Sequence, residues 1–137
     1  MKAERVVVDT NVLISALLVP TGKPSKVMAK LADSGARVLL SRVTYLELAS
    51  RLALPKFDRY RTTAQMNRYL DWLADLADWV KPSIQISDCP DLDDNRFLEV
   101  LIVGDGDLLI TGDSDLLALN PYEGRPILNP ATFLSHP

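Results

Sequence analysis

Apolar residues along this chain fall into two alternating patterns: short unbroken runs, and longer stretches with an apolar residue every three or four positions. Val6-Val7-Val8 is the first run, β-branched throughout, as expected of a strand buried on both faces. Val12 to Leu18 is long enough for a helix, and Thr10 and Asn11 ahead of it are good caps. Pro24 to Ser34 reads as a second helix, with proline in its first turn and Gly35 just past its end. Ala36 to Leu40 is a second strand, and Arg42 to Leu54 a helix around Glu47. Thr62 to Trp79 is the clearest amphipathic stretch, with Met66, Tyr69, Leu70, Leu73, Leu76, Ala77 and Val80 at helical spacing. Trp72 and Trp79, seven apart, would share a face of that helix. Their face reads either as core or as an aromatic patch for a partner. Lys81 to Ile86 is a third strand candidate. Asp91 to Val103 reads as a helix with acids in its first turn. Leu108-Leu109-Ile110 is a fourth strand and Ser114 to Leu119 a short helix. Pro126-Ile127-Leu128 is a weak fifth strand, and Pro130 to Leu134 a last helical turn. Strands that alternate with helices predict an α/β protein, a three-layer α/β/α sandwich around a central, mostly parallel sheet of four or five strands.

A length of 137 residues fits one domain over 1–137 and can bury a core without staples. The single cysteine, Cys89, has no internal disulfide partner and no CxxC companion for zinc, which points to a reducing cytoplasm. It reads as an ordinary free thiol. No apolar run approaches the roughly 18 residues of a membrane span. Asp9 breaks the first apolar run before it could serve as a signal peptide. The net charge of -3 does not by itself suggest a nucleic-acid partner, but it hides a segregation. Lys23 to Arg68 carries ten Lys or Arg against three acids, whereas Asp88 to Asp115 carries nine acids against Arg96 alone. Such blocks can place a basic surface beside an acidic pocket.

Asp9 ends the first strand and Asp113 follows the fourth, so both fall at the carboxyl edge of a parallel sheet, where open sheets bind ligands. Asp93 and Asp94 open the helix before that fourth strand. Glu47 stands among Val43, Leu46, Leu48 and Ala49, where burial would demand a partner. Clustered carboxylates without His or Cys suit a hard cation such as Mg²⁺ or Mn²⁺. Zinc is poorly served, since the one histidine is His136. A divalent ion at such an edge suits phosphodiester hydrolysis. Each acid also has a plain structural role open to it. Asp9, Asp91, Asp93, Asp94 and Asp113 all stand where helix caps or first-turn acids are favoured. Asp105 and Asp107 read as turn residues around Gly106. Asn11 reads as a helix cap, as a support for Asp9, or as both.

Four segments together resemble the PIN domain family, across Val6 to about Leu134. They are Val7-Val8-Asp9-Thr10-Asn11-Val12, Ser41 to Leu48 around Glu47, Asp91 to Glu99, and Leu109-Ile110-Thr111-Gly112-Asp113-Ser114-Asp115. The last two are similar in form to the branch that includes VapC-like toxins of toxin–antitoxin systems. The resemblance implies an endoribonuclease dependent on Mg²⁺ or Mn²⁺, with Asp9, Glu47, Asp94 and Asp113 as its catalytic and metal-binding acids. Asp94 is preferred to Asp93 because Phe97 lies three residues later. Asn11 and Thr111 match supporting polar positions, and Asp115 an accessory acid. The resemblance also implies an RNA substrate, a homodimer and a small antitoxin partner. The basic block offers Lys23, Lys26, Arg42 and Arg51 to the RNA backbone, a largely sequence-independent contact. One departure stands out: Val100 to Asp107 replaces the small residues usual before the fourth strand.

Two other classes compete. One is a PIN-like module that binds RNA or protein without cutting, which the loss of an acid would favour; all four acids are present. The other is phosphoryl chemistry. A receiver domain would want paired acids after the first strand and a late lysine, and a haloacid-dehalogenase-like phosphatase would want Asp-x-Asp. Asp9-Thr10-Asn11 and Thr111-Gly112-Asp113 supply neither.

Overall fold

A computed structural model describes residues 3–136. Five strands form one sheet, β1 (Arg5–Val8), β2 (Arg37–Leu40), β3 (Ala77–Trp79), β4 (Leu108–Ile110) and β5 (Ile127–Leu128), in the order β3-β2-β1-β4-β5. Every pair is parallel, with Val6 opposite Val38 and Leu108, and Val8 opposite Ile110. The sheet is therefore wholly parallel, and five-stranded rather than four-stranded.

The alternation of side chains along each strand divides the core into two layers. Val6, Val8, Val38, Leu40, Leu108 and Ile110 face one way. Over them pack α1 (Thr10–Leu18), α2 (Lys23–Asp33), α3 (Arg42–Leu52), α4 (Thr63–Leu76) and α7 (Pro130–Leu134). Val7, Leu39 and Leu109 face the other way, under α5 (Asn95–Val103) and α6 (Ser114–Leu117). Burial on both faces is what the unbroken apolar runs of β1 and β4 require.

The clearest difference from the sequence pattern lies at the end of the amphipathic stretch. The α4 helix stops at Leu76, and Ala77–Trp79 is strand β3, hydrogen-bonded to β2. Lys81 to Ile86 forms no strand. Ala77 switches to extended geometry with φ -82 and ψ 147. Arg5 and Arg37 both pair with Asp78, at 2.7 and 3.1 Å, which ties the short edge strand to β1 and β2. Pro82 has no N–H for a ladder, which disfavours a strand downstream. Trp72 and Trp79 consequently share no helix face. Trp72 stacks on Tyr69 and Trp79 meets Tyr45 edge-on, both well exposed.

The predicted helix over Asp91 to Val103 divides into a 3₁₀ turn, Leu92–Asp94, and α5. In the Val100 to Asp107 departure, Val100 and Leu101 fill the core beneath the sheet, and the two glycines that follow are tightly packed. Gly104 and Gly106 sit directly against Leu39 and Leu101, and a Cβ on Gly104 would lie 2.8 Å from Val80 and from the Val100 carbonyl. Asp107 caps the start of β1 by accepting the Glu4 and Arg5 N–H groups, each at 2.9 Å. Among the described residues no helix is long and apolar enough to cross a membrane.

Candidate metal centre

The strands β1 and β4 are neighbours at the middle of the sheet. From β1 the chain turns toward β2, and from β4 toward β5 on the other side. Their carboxyl ends border the crevice where connections diverge, the usual ligand position in an open parallel sheet. Asp9 immediately follows β1, and Asp113 lies three residues past β4.

Asp9 is 4% exposed and is itself the cap of α1. Its Oδ1 accepts the Asn11 N–H at 2.9 Å and its Oδ2 the Thr111 hydroxyl at 2.6 Å. Helix capping and site formation are one arrangement here. The cap is Asp9, and Thr10 and Asn11, which the pattern offered as caps, lie inside the first turn. Thr111 is fully buried, and its oxygen also accepts the Asp113 N–H at 3.0 Å. One hydroxyl thus fixes two acids from opposite ends of the chain. Asp113 caps α6 by accepting the Leu116 N–H at 3.2 Å.

Asp94 comes from a third direction, at the junction of the 3₁₀ turn and α5. Burial pushes its carboxyl up from 3.8 to about 7, aided by a hydrogen bond to Asp113 and by the charges of Asp113, Asp91 and Asp9. Among the described residues neither Asp9, Asp94 nor Asp113 has an ion-pair partner. Gathered carboxylates without a compensating cation are costly to hold ionised. Carboxylate oxygens suit a hard divalent ion; the sulfur of Cys89, which lies among them, does not.

Glu47 projects from α3 and is mostly buried, with Arg51 one turn later at 2.8 Å. Burial raises its carboxyl, Arg51 opposes that, and Asp93, Asp9 and Asp91 add to the rise. Glu47 therefore shares the same negative basin, but its nearest partner is a guanidinium. Asn11 does not hold Asp9 with its side chain. Its backbone N–H does so, while its Oδ1 accepts from Arg51 at 3.0 Å. Asp115 is exposed in the first turn of α6. Lys23, Lys26 and Arg42 are exposed at the starts of α2 and α3.

The sequence reading missed Cys89. Its sulfur lies 3.9 Å from Asp94 Oδ2, and ligand atoms of Cys89, Asp94 and Asp113 all lie within 4.8 Å of one another. Burial pushes the thiol up, and the charges of Asp94, Asp113 and Asp115 act in the same direction. Buried Asn95 clamps the Cys89 peptide, accepting its N–H at 2.8 Å and donating to its carbonyl at 3.1 Å. The available signal was proximity alone, five residues before Asp94.

A crevice of about 380 Å³ opens beside the acids, bordered by Asp9, Asn11, Ser15, Pro24, Asp113 and Pro130. A larger cavity of about 730 Å³ lies at the opposite end of the strands, near Arg5, Lys30 and Arg37. Its cations are already engaged. Arg5 and Arg37 hold Asp78, and Lys30 donates to the His136 carbonyl at 2.5 Å. Asp9 and Asp113 border the smaller crevice.

Solved structures share this architecture. The PAE2754 protein of Pyrobaculum aerophilum superposes with a TM-score of 0.63 at 15% identity, over 96% of this chain and 87% of that one. VapBC2 of Rickettsia felis, solved bound to a DNA fragment from its promoter, gives a TM-score of 0.60 at 12% identity, over 91% of this chain and 98% of that one. At such identities the likeness concerns the fold. In sequence, the uncharacterized protein MJ1680 of Methanocaldococcus jannaschii is 32% identical over 115 residues, covering 77% of this chain and 73% of its own. The PIN domain profile matches residues 5–115, all four acids included, and the chain belongs to the PIN domain family.

Proposed function

We propose that this chain, as one PIN domain over 1–137, is a metal-dependent endoribonuclease that hydrolyses RNA phosphodiester bonds. The observation that carries the reading is the meeting of Asp94 and Asp113 at the sheet's switch point, with Asp9 tied to Asp113 through the Thr111 hydroxyl and no ion-pair partner for any of the three among the described residues. Asp9, Asp94 and Asp113 would hold Mg²⁺ or Mn²⁺, with Glu47 beside them. The ion supplies Lewis-acid activation of the phosphate and of the attacking water. The chain's own residues then have distinct tasks. Thr111 and the Asn11 N–H fix the two oxygens of Asp9, so the acid needs no reorganisation when the ion arrives. Glu47 can orient a water or accept its proton, because burial and neighbouring acids raise its carboxyl. Asp115 adds negative charge at the rim. Lys23, Lys26, Arg42 and Arg51 would bind RNA phosphates, so affinity would fall with salt.

The same reading extends to partners. The Rickettsia felis neighbour is a VapBC protein, in line with a toxin paired with a small antitoxin; the lone cysteine is in line with a reducing cytoplasm. Val43 and Leu46, one turn apart on α3, are exposed, as is Trp79, which meets Tyr45 of the same helix; exposed apolar residues of this kind support a homodimer. Light scattering would read a mass of two chains.

The test is cleavage of labelled RNAs by purified protein with Mg²⁺ or Mn²⁺, beside EDTA and Asp9→Asn controls. Cutting that disappears in both controls is expected. A folded protein that binds RNA and Mn²⁺ but cuts nothing would favour a binding module. Cutting that survives Asp9→Asn would overturn the site.

A further inference from the structure

A second groove adjoins the acidic crevice. It lies between α1 and the segment that follows α3, and its volume is about 370 Å³. Asn11 and Ser15 line both spaces, so the two adjoin across these residues. Ile14, Leu18, Leu54 and Phe57 make the new groove apolar, and Arg51 and Lys56 stand at its edge. No acid lines it. Beyond it, cations and aromatic rings interleave from Lys56 to Arg61. Lys56 Nζ lies 5.1 Å from the Phe57 ring centre, and the Arg59 guanidinium 5.5 Å from that of Tyr60.

We infer that this groove holds one nucleotide of single-stranded RNA, next to the phosphate at the acids. The inference rests on the nuclease reading and deepens it by naming a substrate subsite. An apolar slot with an aromatic wall takes the flat face of a base, and cations at its edge take the adjoining phosphate. Arg51 is pre-positioned for that phosphate. Asn11 Oδ1 and Glu47 Oε1 hold two of its five N–H donors and fix the plane of the guanidinium. Lys56 makes no ion pair among the described residues. A polyanion entering the acidic crevice is repelled at Asp9 and Asp113, and the flanking cations offset that repulsion one nucleotide away. A helical protein segment fits less well, because it needs several anchors spaced over two turns and this slot is short.

Because stacking of one base corresponds to roughly five- to hundredfold in affinity, the effect is measurable. The experiment follows methyl and amide NMR signals of the full chain during titration with adenosine and uridine 5′-monophosphates in EDTA. Shifts centred on Ile14, Leu18, Leu54 and Phe57 are expected. Lys56→Glu and Leu54→Asp, both at exposed positions, should weaken that binding at least tenfold. In the cleavage assay they should raise KM with kcat little changed. Asp113→Asn should abolish cutting and retain nucleotide binding, which separates the subsite from the chemistry. Shifts elsewhere, or unchanged KM in both groove variants, overturn the subsite while the nuclease stands. Unchanged nucleotide binding together with loss of a protein partner would assign the groove to that protein and also overturn it. If no RNA is cut under any metal, yet the mononucleotides shift these signals as expected, the nuclease reading falls and the nucleotide groove stands.

Discussion

Asn in place of Asp94 should make the metal-free protein more stable at neutral and alkaline pH, although it damages the site. The wild-type carboxyl rises from 3.8 to about 7 on folding, which corresponds to about 4 kcal/mol at 1.36 kcal/mol per pH unit. Asp94 is only partly buried, and solvent screening reduces this to about 1–2 kcal/mol. The native state binds this proton more tightly than the unfolded chain. Its stabilising effect is therefore complete below about pH 3.8 and is lost as pH rises through about 7. The neutral amide removes that loss. Scanning calorimetry in EDTA at pH 8 should place the Tm of Asp94→Asn about 3–8 °C above wild type, with the gap narrowing toward pH 4. Added Mg²⁺ should raise the wild-type Tm and close or invert the difference, since only the native wild-type site binds the ion well. A variant that is less stable than wild type at pH 8 in EDTA, with the same dependence on pH, would refute the picture of an uncompensated acidic pair.

Three further substitutions probe the scaffold. Thr111→Val removes the hydroxyl that donates to Asp9 and accepts from Asp113; it should cost about 1–3 kcal/mol in urea unfolding and weaken Mn²⁺ binding. Gly104→Ala drives a Cβ to 2.8 Å from Val80 and from the Val100 carbonyl, and a loss of about 1–3 kcal/mol should appear as a lower Tm. Asn95→Ala breaks both hydrogen bonds to the Cys89 peptide; the 1% exposed thiol should then react faster with a disulfide reagent, while in wild type it stays slow.

The fold was legible wherever packing and local preference agree. Strand β4 and helix α7 have their predicted ends, Leu108 to Ile110 and Pro130 to Leu134, because proline and buried aliphatic runs leave few alternatives. The α4–β3 junction was not legible. Leu73 and Ala77 continue the helical spacing whether Ala77 ends a helix or begins a strand, and the strand is decided by pairing with β2 and by Asp78 meeting Arg5 of β1 and Arg37 of β2. Asp9 and Asp113 were legible as neighbours, since both follow strands that a parallel sheet brings side by side; Glu47, and Asp94 over Asp93, came in through the family resemblance. The support of these acids was only partly legible. Thr111 was recognised as a supporting residue, but its double hydrogen bond depends on the turn after β4. The attachment of Arg51 to Glu47 and Asn11 required the α1–α3 packing. Cys89 was invisible as a neighbour of Asp94, because the turn from Cys89 to Asp94 is set by Asn95, a residue with no catalytic signature.

In this reading Asp9, Asp94 and Asp113 together hold a divalent cation. Electron paramagnetic resonance of Mn²⁺ titrated into purified wild type, Asp9→Asn and Asp113→Asn tests it without relying on turnover. The free Mn²⁺ signal should be suppressed by wild type until its site is filled, and Mg²⁺ should restore it by competition. Each variant should leave the signal close to that of buffer while retaining its circular dichroism. Equal suppression by wild type and both folded variants, or none by any of them, would contradict the account.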